Sequence, residues 1–365
     1  MLKALSGKTF DYFLFVLVFI LVILGIVSIY SITYGVTNQY FISQLIFAGI
    51  GLVFLGFFAF LDYKSLGSFS ILIYSAGIVF LAAVLVIGKT VSGATRWIPL
   101  GFFQLQPAEI FKLILIIVLA KYLGDKKGEI GGREILVTFL LTSLPVVLVL
   151  MQPDFGTALV YLAIAIILLF VAGIPRLYIF ILSLVVGSLA PIFWFFVLRG
   201  YQKERLVSFL NPSADPFGSG YNVLQSIIGV GSGQLLGHGL GHGSQSQLNF
   251  LPISIQHTDF IFAVFAEELG FLGSILLLIL FVILLFKIFK IAQVAKDGFG
   301  ALLAAGIGGM FLFQFLVNVG MNLGVMPITG IPLPFLSFGG TALVMSLVCI
   351  GVVESVIARH KKISF

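Results

Sequence analysis

Charge is scarce in this chain. Only 9% of its 365 residues are Asp, Glu, Lys or Arg, while 60% are hydrophobic. That is too little charge to coat a soluble surface, so a soluble two- or three-domain protein is excluded despite the length. Cysteine is nearly absent as well. Cys349 stands alone inside the last apolar run, which excludes an intrachain disulfide and leaves the redox compartment unread. A small-residue cleavage site is missing after the first apolar run, Phe13 to Tyr30, so that run reads as a retained span and not as a signal peptide. The net charge of +6 could point to nucleic acid. In so apolar a chain it points instead to basic residues that hold loops on the cytoplasmic side, and no nucleic-acid partner is expected.

What the chain has is apolar runs of about 18 residues or more, the length a bilayer-crossing helix needs. The pattern predicts an all-α polytopic membrane protein, a single integral domain over 1–365 with ten spans. They are placed at 11–31, 41–61, 68–87, 107–123, 135–151, 156–172, 177–198, 259–286, 299–323 and 338–358. The fifth and sixth together are too long for one crossing at about 1.5 Å per residue. Gln152-Pro153-Asp154 divides them into two antiparallel helices. Fourteen of the twenty lysines and arginines fall in one set of loops, namely Lys3, Lys8, Lys64, Lys121, Lys126, Lys127, Arg133, Arg176, Lys287, Lys290, Lys296, Arg359, Lys361 and Lys362. Lys89, Arg96, Arg199, Lys203 and Arg205 fall in the other, and Lys112 lies inside a span. Both termini are therefore expected in the cytoplasm, with a large external loop, 199–258, between spans seven and eight.

That loop is the long polar stretch of the chain, and its length marks it as functional and partly folded. Tyr221 to Val230 reads as a short amphipathic helix at the membrane surface. Arg199, Lys203 and Arg205, with Arg96 in another external loop, form a basic group that runs against the charge bias of its side. Such a group fits an anionic ligand such as a pyrophosphate. His238 and His242 have the four-residue spacing of helical metal ligands, but their glycine-rich surroundings argue against a helix. Asp259 follows Thr258, a plausible helix N-cap, in the first turn of span eight at the outer interface. It is either an aspartate that complements the helix dipole or a catalytic base. The dipole lowers its pKa, whereas burial or a nearby phosphate raises it. Glu109 and Lys112, three residues apart, are either a structural ion pair or binders of a lipid-linked phosphate. Glu267 and Glu268, about two turns into span eight, read as carboxylates that face the bundle. Helix capping and close packing account for Ser337-Phe338-Gly339-Gly340-Thr341 at the start of the last span.

Six ordered blocks then match a known family over nearly the whole chain. They are GATRWIPLG (93–101), QPAEIFK (106–112), QPDFGTAL (152–159), RLVSFLNPSADPFGSGYNVLQS (205–226), HTDFIFAVFAEELG (257–270) and NVGMNLGVMPITGIPLPFLSFGGTA (318–342). The chain resembles the SEDS family (shape, elongation, division and sporulation). It is closer to the RodA-like elongation members than to the FtsW-like division members through GIPLP (330–334), QHTD (256–259) and LNFLP (248–252). It departs from the family where Ile253 replaces a frequent glutamate and His238 a frequent lysine, so roles at those two positions do not carry over.

The resemblance implies a peptidoglycan glycosyltransferase of the bacterial cytoplasmic membrane that polymerises lipid II on the outer face, with its essential aspartate at Asp259. It also implies a class B penicillin-binding protein, a transpeptidase, as partner on spans eight and nine and the large loop. Asp259 is expected to take the proton of the acceptor's sugar 4-hydroxyl as it attacks the undecaprenyl pyrophosphate-linked glycan, with inversion. Arg205, Lys203 and Arg96 are expected to bind pyrophosphate charge, Lys112 and Glu109 to contribute to substrate binding, and a divalent cation (Mg or Mn) to assist, with Asp259 a possible ligand. The alternatives are a flippase for the lipid-linked precursor and a non-enzymatic scaffold for a transpeptidase.

Overall fold

The computed structural model describes all residues except 1–9, 35–36, 92–93, 101–102, 127–129, 193, 196–199, 219, 249 and 361–365. Arg199 of the expected basic group lies outside the described residues, as do Lys3, Lys8, Lys127, Lys361 and Lys362, parts of the seventh expected span and Asn249.

Helices occupy all ten expected positions. They are α1 (Tyr12–Thr33), α2 (Gln39–Phe60), α4 (Ser70–Ile87), α5 (Pro107–Gly124), α6 (Gly132–Met151), α7 (Phe155–Val171), α8 (Arg176–Ile192), α13 (Ile261–Val294), α14 (Gly298–Asn322) and α15 (Gly340–Ile357). A short α3 (Tyr63–Ser68) precedes α4. Seven of them, α1, α2, α4, α6, α13, α14 and α15, are long and apolar enough to cross a membrane. Their ends follow local chemistry. Asp11 caps α1 at Leu14, Asp154 caps α7 at Thr157, Asp297 caps α14 at Gly300, and Pro107 opens α5.

Burial separates centre from periphery. The apolar window of α14 is 78% buried and that of α15 67%, against 22% for α2, α4 and α6. Outward side chains such as Ile71, Val79 and Val86 of α4 are apolar and exposed, which suits contact with hydrocarbon. At the α2–α15 crossing, a Cβ on Gly351 would lie 2.5 Å from the Leu55 carbonyl oxygen. Only glycine lets the two backbones approach so closely, a typical device of packed membrane helices.

The structure revises the expected fold in three places. The chain is not wholly helical. β1 (Lys89–Val91), β2 (Ala94–Leu100) and β3 (Phe103–Leu105) form an antiparallel sheet in order β1-β2-β3, with Lys89 opposite Trp97 and Ile98 opposite Leu105. The 199–258 region is partly folded as expected, with the expected helix present as α10 (Tyr221–Ser232), and it adds α9 (Gly200–Leu210), α11 (Ser244–Gln247) and α12 (Ile253–Gln256), which were not foreseen.

The third revision concerns the eighth span. α13 starts at Ile261 and runs to Val294, beyond the expected 259–286, and it is broken at Gly270, with φ 65° and ψ −163°. A helix break strands backbone groups that lipid cannot satisfy. Here the loop after α10 supplies partners. The His238 and Gly239 amides donate to the Glu267 and Glu268 carbonyls (3.1 and 2.9 Å), while the Phe271 and Leu272 amides donate to the Gln234 and Leu235 carbonyls (2.8 and 3.1 Å). A Cβ on Gly237 would lie 2.1 Å from the Glu268 carbonyl oxygen, so this joint requires glycine.

Candidate active site

Asp259 sits in the turn between α12 and α13, where several independent elements meet. Its amide donates to the Ile255 carbonyl (3.0 Å), so the turn continues from α12. Thr258 does not cap α13 as expected. The N-cap is Phe260, with no side-chain bond, and the Thr258 hydroxyl donates back to the Ile255 carbonyl (3.3 Å). His257 is buried, with its ring 4.4 Å from Tyr40 and 5.1 Å from Phe338, and its Nδ1 donates to the Ile253 carbonyl. Burial lowers the His257 pKa and holds the ring neutral at physiological pH.

Three charged groups act electrostatically on the Asp259 carboxylate. Arg205 comes from α9, Arg96 from β2 and Asp154 from the α6–α7 turn. Asp259 is only half-buried, so a substrate can reach it. Protein atoms nonetheless crowd it. Burial pushes its carboxyl up to about 6, against the opposing pull of Arg205 and Arg96. The dipole-stabilised aspartate of the alternative reading has the opposite shift. The segment 328–330 lines one side. Arg205 Nη1 donates to the Ile328 carbonyl (3.4 Å), and a Cβ on Gly330 would lie 3.6 Å from Asp259 Oδ2. Gly330 has φ 74°, a conformation that glycine adopts without cost.

Arg96 and Asp154 form the opposite side. Arg96 Nε donates to the Gln152 carbonyl (3.3 Å), another of its nitrogens donates to the Pro153 carbonyl, and Nη1 lies 3.8 Å from Asp154 Oδ1. Asp154 is buried and also accepts from Gln106 Nε2 (3.1 Å) and the Thr157 hydroxyl (3.0 Å). Arg96, carried on β2, thus ties the sheet to the α6–α7 turn.

The other expected site residues divide. Lys203 lies on α9 two residues from Arg205, and residues two apart do not share a helix face. The Arg205 charge lowers the Asp259 pKa against the effect of burial, and Arg205 also donates to the Ile328 carbonyl beside it. Glu109 and Lys112 are both buried and paired at 2.6 Å, beside Gln314, Ser346 and Cys349. Glu109 also borders a second small cavity, lined by Pro332–Pro334 and Ser337. Glu267 and Glu268 are buried and structural in their contacts. Glu268 accepts from the Ser31 hydroxyl and the Gly241 amide, and Glu267 from the Ser244 hydroxyl. His238 and His242 are not on a helix, and among the described residues no group of three or more His, Cys, Asp or Glu could hold a metal.

Sequence reasoning missed Asp154, Asn318, Asn322 and the part played by Ser337. Ser337 does not cap α15, because the Gly339 N-cap makes no side-chain bond. Its hydroxyl donates to the Thr258 carbonyl (2.6 Å). The available signals were Gln152-Pro153-Asp154 at a helix end and two asparagines one turn apart at the end of an apolar helix.

The chain is similar to known proteins along its whole length. A family model for FtsW, RodA and SpoVE, described as cell cycle protein, matches residues 11–362. The peptidoglycan glycosyltransferase MrdB of Escherichia coli (strain K12) is 36% identical over 292 residues, 80% of this chain and 78% of that protein. The peptidoglycan glycosyltransferase RodA of Treponema pallidum (strain Nichols) is 32% identical over 96% of this chain and 98% of its own. A solved structure described as the structural coordination of polymerization and crosslinking by a peptidoglycan synthase complex matches with a TM-score of 0.82 and 33% identity, covering 96% and 98% of the two chains. With a family model over residues 11–362 and relatives above 30% identity across most of both chains, the chain belongs to the FtsW/RodA/SpoVE family.

Proposed function

We propose that this protein is a peptidoglycan glycosyltransferase that polymerises lipid II at the outer face of the bacterial cytoplasmic membrane, in the RodA-like elongation role. Ten spans and cytoplasmic termini carry the 199–258 region and the Asp259 turn on the exterior. The observation that carries the reading is Asp259 itself, half-buried beside Arg205 and Arg96, with burial raising its carboxyl to about 6. A base with a pKa near the operating pH is both deprotonated and still basic enough to accept a proton.

In this mechanism two lipid-linked sugars lie side by side with their pyrophosphates at headgroup level. Asp259 accepts the proton of the acceptor 4-hydroxyl as that oxygen attacks the anomeric carbon of the growing chain. The C–O bond to undecaprenyl pyrophosphate breaks with inversion, and that leaving group departs as a stable anion. A second carboxylic acid, needed in glycoside hydrolysis, has no task here. Arg205 and Arg96 stabilise the pyrophosphate charge, Lys203 adds longer-range attraction at the rim, and the Glu109–Lys112 pair supports the site from beneath. A magnesium or manganese ion, commonly held by one or two carboxylates together with substrate phosphates, fits Asp259 plus a bound pyrophosphate and would supply charge neutralisation.

The similarity to a chain of a peptidoglycan synthase complex that coordinates polymerization and crosslinking supports a class B penicillin-binding protein as partner, docking on α13, α14 and the external region. The test is lipid II polymerisation by the purified protein in detergent, with and without chelator and partner. Asp259→Asn is expected to lose about 10²–10⁴-fold in rate while remaining folded, the usual contribution of a general base. Parent-like glycan synthesis by Asp259→Asn would refute the assignment.

A further inference from the structure

We propose that Asn318 and Asn322, one turn apart at the end of α14, are positioning residues that hold the Asp259 turn in its reactive geometry. The inference rests on Asp259 being the base. Both asparagines are fully buried. Asn318 Nδ2 donates to the Asp259 carbonyl (3.2 Å) and to the Ile331 carbonyl (2.8 Å). Asn322 Nδ2 donates to the same Asp259 carbonyl (3.0 Å) and to the Asn318 carbonyl (2.8 Å). Its Oδ1 accepts from the Ala263 amide (3.1 Å) and the Ser226 hydroxyl (3.4 Å).

Asn322 therefore uses both ends of its amide on the two sides of Phe260. One end holds the carbonyl of the catalytic residue, and the other satisfies an amide in the first turn of α13, a helix whose own N-cap makes no side-chain bond. A neighbouring helix caps α13 in place of Thr258. Asn318 ties in the other wall of the site. Through Ile331 it holds the irregular segment that contains Gly330, which borders Asp259 Oδ2. The preceding carbonyls are held as well. Thr258 accepts from the Ser337 hydroxyl and His257 from the Phe338 amide (2.7 Å). Three successive carbonyls of one turn are thus fixed by α14 and the entry to α15.

This matters because an aspartate has a short side chain, and its carboxylate goes where its backbone goes. A base must approach within about 2.6–3.2 Å of the proton it removes, and a displacement of ~1 Å can cost about 10²-fold in rate. Two buried amides on one carbonyl also resist the rotation of that peptide that would turn the carboxylate away.

The experiment is lipid II polymerisation by purified Asn318→Ala, Asn322→Ala and the isosteric Asn322→Asp, measured between about pH 5 and 9 beside Asp259→Asn. Asn322→Asp keeps the acceptor toward Ala263 and loses the two Nδ2 donations, to the Asp259 and Asn318 carbonyls, so it tests the donor end of the amide where the alanine variant fails to fold. Folded variants are expected to lose about 10- to 100-fold in kcat with KM for lipid II within about threefold. The acid limb of their pH–rate profile is expected to move by about half a unit or more, because the carboxylate shifts relative to Arg205, Arg96 and Asp154, the charged groups that act on it from α9, β2 and the α6–α7 turn. A merely structural role lowers the amplitude equally at every pH, in step with the folded fraction by size exclusion, and leaves the limb in place; that result overturns the proposal. Parent-like kcat in folded Asn318→Ala and Asn322→Asp, with Asp259→Asn inactive, also overturns it while sparing the base assignment. Activity in Asp259→Asn instead removes the base on which it rests.

Discussion

Asp259 meets two opposing demands, and the balance between them is measurable. Burial raises its carboxyl to about 6 from an ordinary value near 4, so the folded protein binds its proton more readily than the unfolded chain does. Below about pH 4 both states are protonated and the group contributes nothing to stability. Above about pH 6 the folded state carries a crowded carboxylate and is destabilised relative to the neutral form. Asp259→Asn should therefore raise the melting temperature at pH 8, with the gain shrinking to zero as the pH falls from about 6 to 4, while polymerisation is lost. Equal melting curves at all pH values contradict the raised pKa. Parent activity should in turn rise through about pH 6 as Asp259 loses its proton. Arg96 gives a second prediction. Its planar fork serves two carbonyls and Asp154 together, a geometry that lysine cannot reproduce. Arg96→Lys should lower kcat/KM by about tenfold or more, the equivalent of losing one charge-assisted bond of ~1.5 kcal/mol.

At the scale of elements, the broken α13 and the buried pair of α5 make separate predictions. Gly270 holds a φ/ψ combination essentially confined to glycine, and the Gly237 amide nitrogen lies 2.3 Å from where its Cβ would stand. Gly270→Ala should cost at least ~1–3 kcal/mol and loosen the loop after α10, read as a lower detergent melting temperature and faster proteolysis there. For Glu109 and Lys112, removing one partner strands a buried charge. Glu109→Gln or Lys112→Met alone should cost ~3–5 kcal/mol, and the apolar pair Glu109→Leu with Lys112→Met should recover most of it. If the recovered double variant keeps the parent KM for lipid II, the pair serves structure; a raised KM assigns it to binding. The break in α13 was not legible in the sequence, since Glu267, Glu268 and Gly270 interrupt an otherwise apolar run without saying whether the helix bends there. It exists because a separate loop supplies the missing hydrogen-bond partners.

For the whole molecule, the lysine and arginine bias predicts which surfaces face which compartment. Asp215→Cys, beside α9, should react with an impermeant thiol reagent in intact cells, whereas Lys290→Cys on α13 should react only after permeabilisation; buried Cys349 keeps the background low. The reverse pattern contradicts an external active site.

Most of the helical layout was legible in the sequence, because a bilayer imposes a length and an apolarity on each crossing that show in a single stretch of residues. The polar 199–258 region and the placement of Asp259 beside an apolar helix were legible for the same reason, and so was the resemblance carried by six ordered blocks. Tertiary structure alone decided the rest. Arg205 comes near the Asp259 site because the fold of α9 lets it donate to the Ile328 carbonyl, in the segment that borders Asp259. Arg96 of β2 is tied to the Gln152–Asp154 turn by its own side chain, and Asn322 of α14 accepts from the first turn of a helix that begins 61 residues earlier, at Ile261. Such contacts join residues far apart in the chain, and no local pattern of hydropathy or spacing encodes which buried amide will meet which stranded carbonyl.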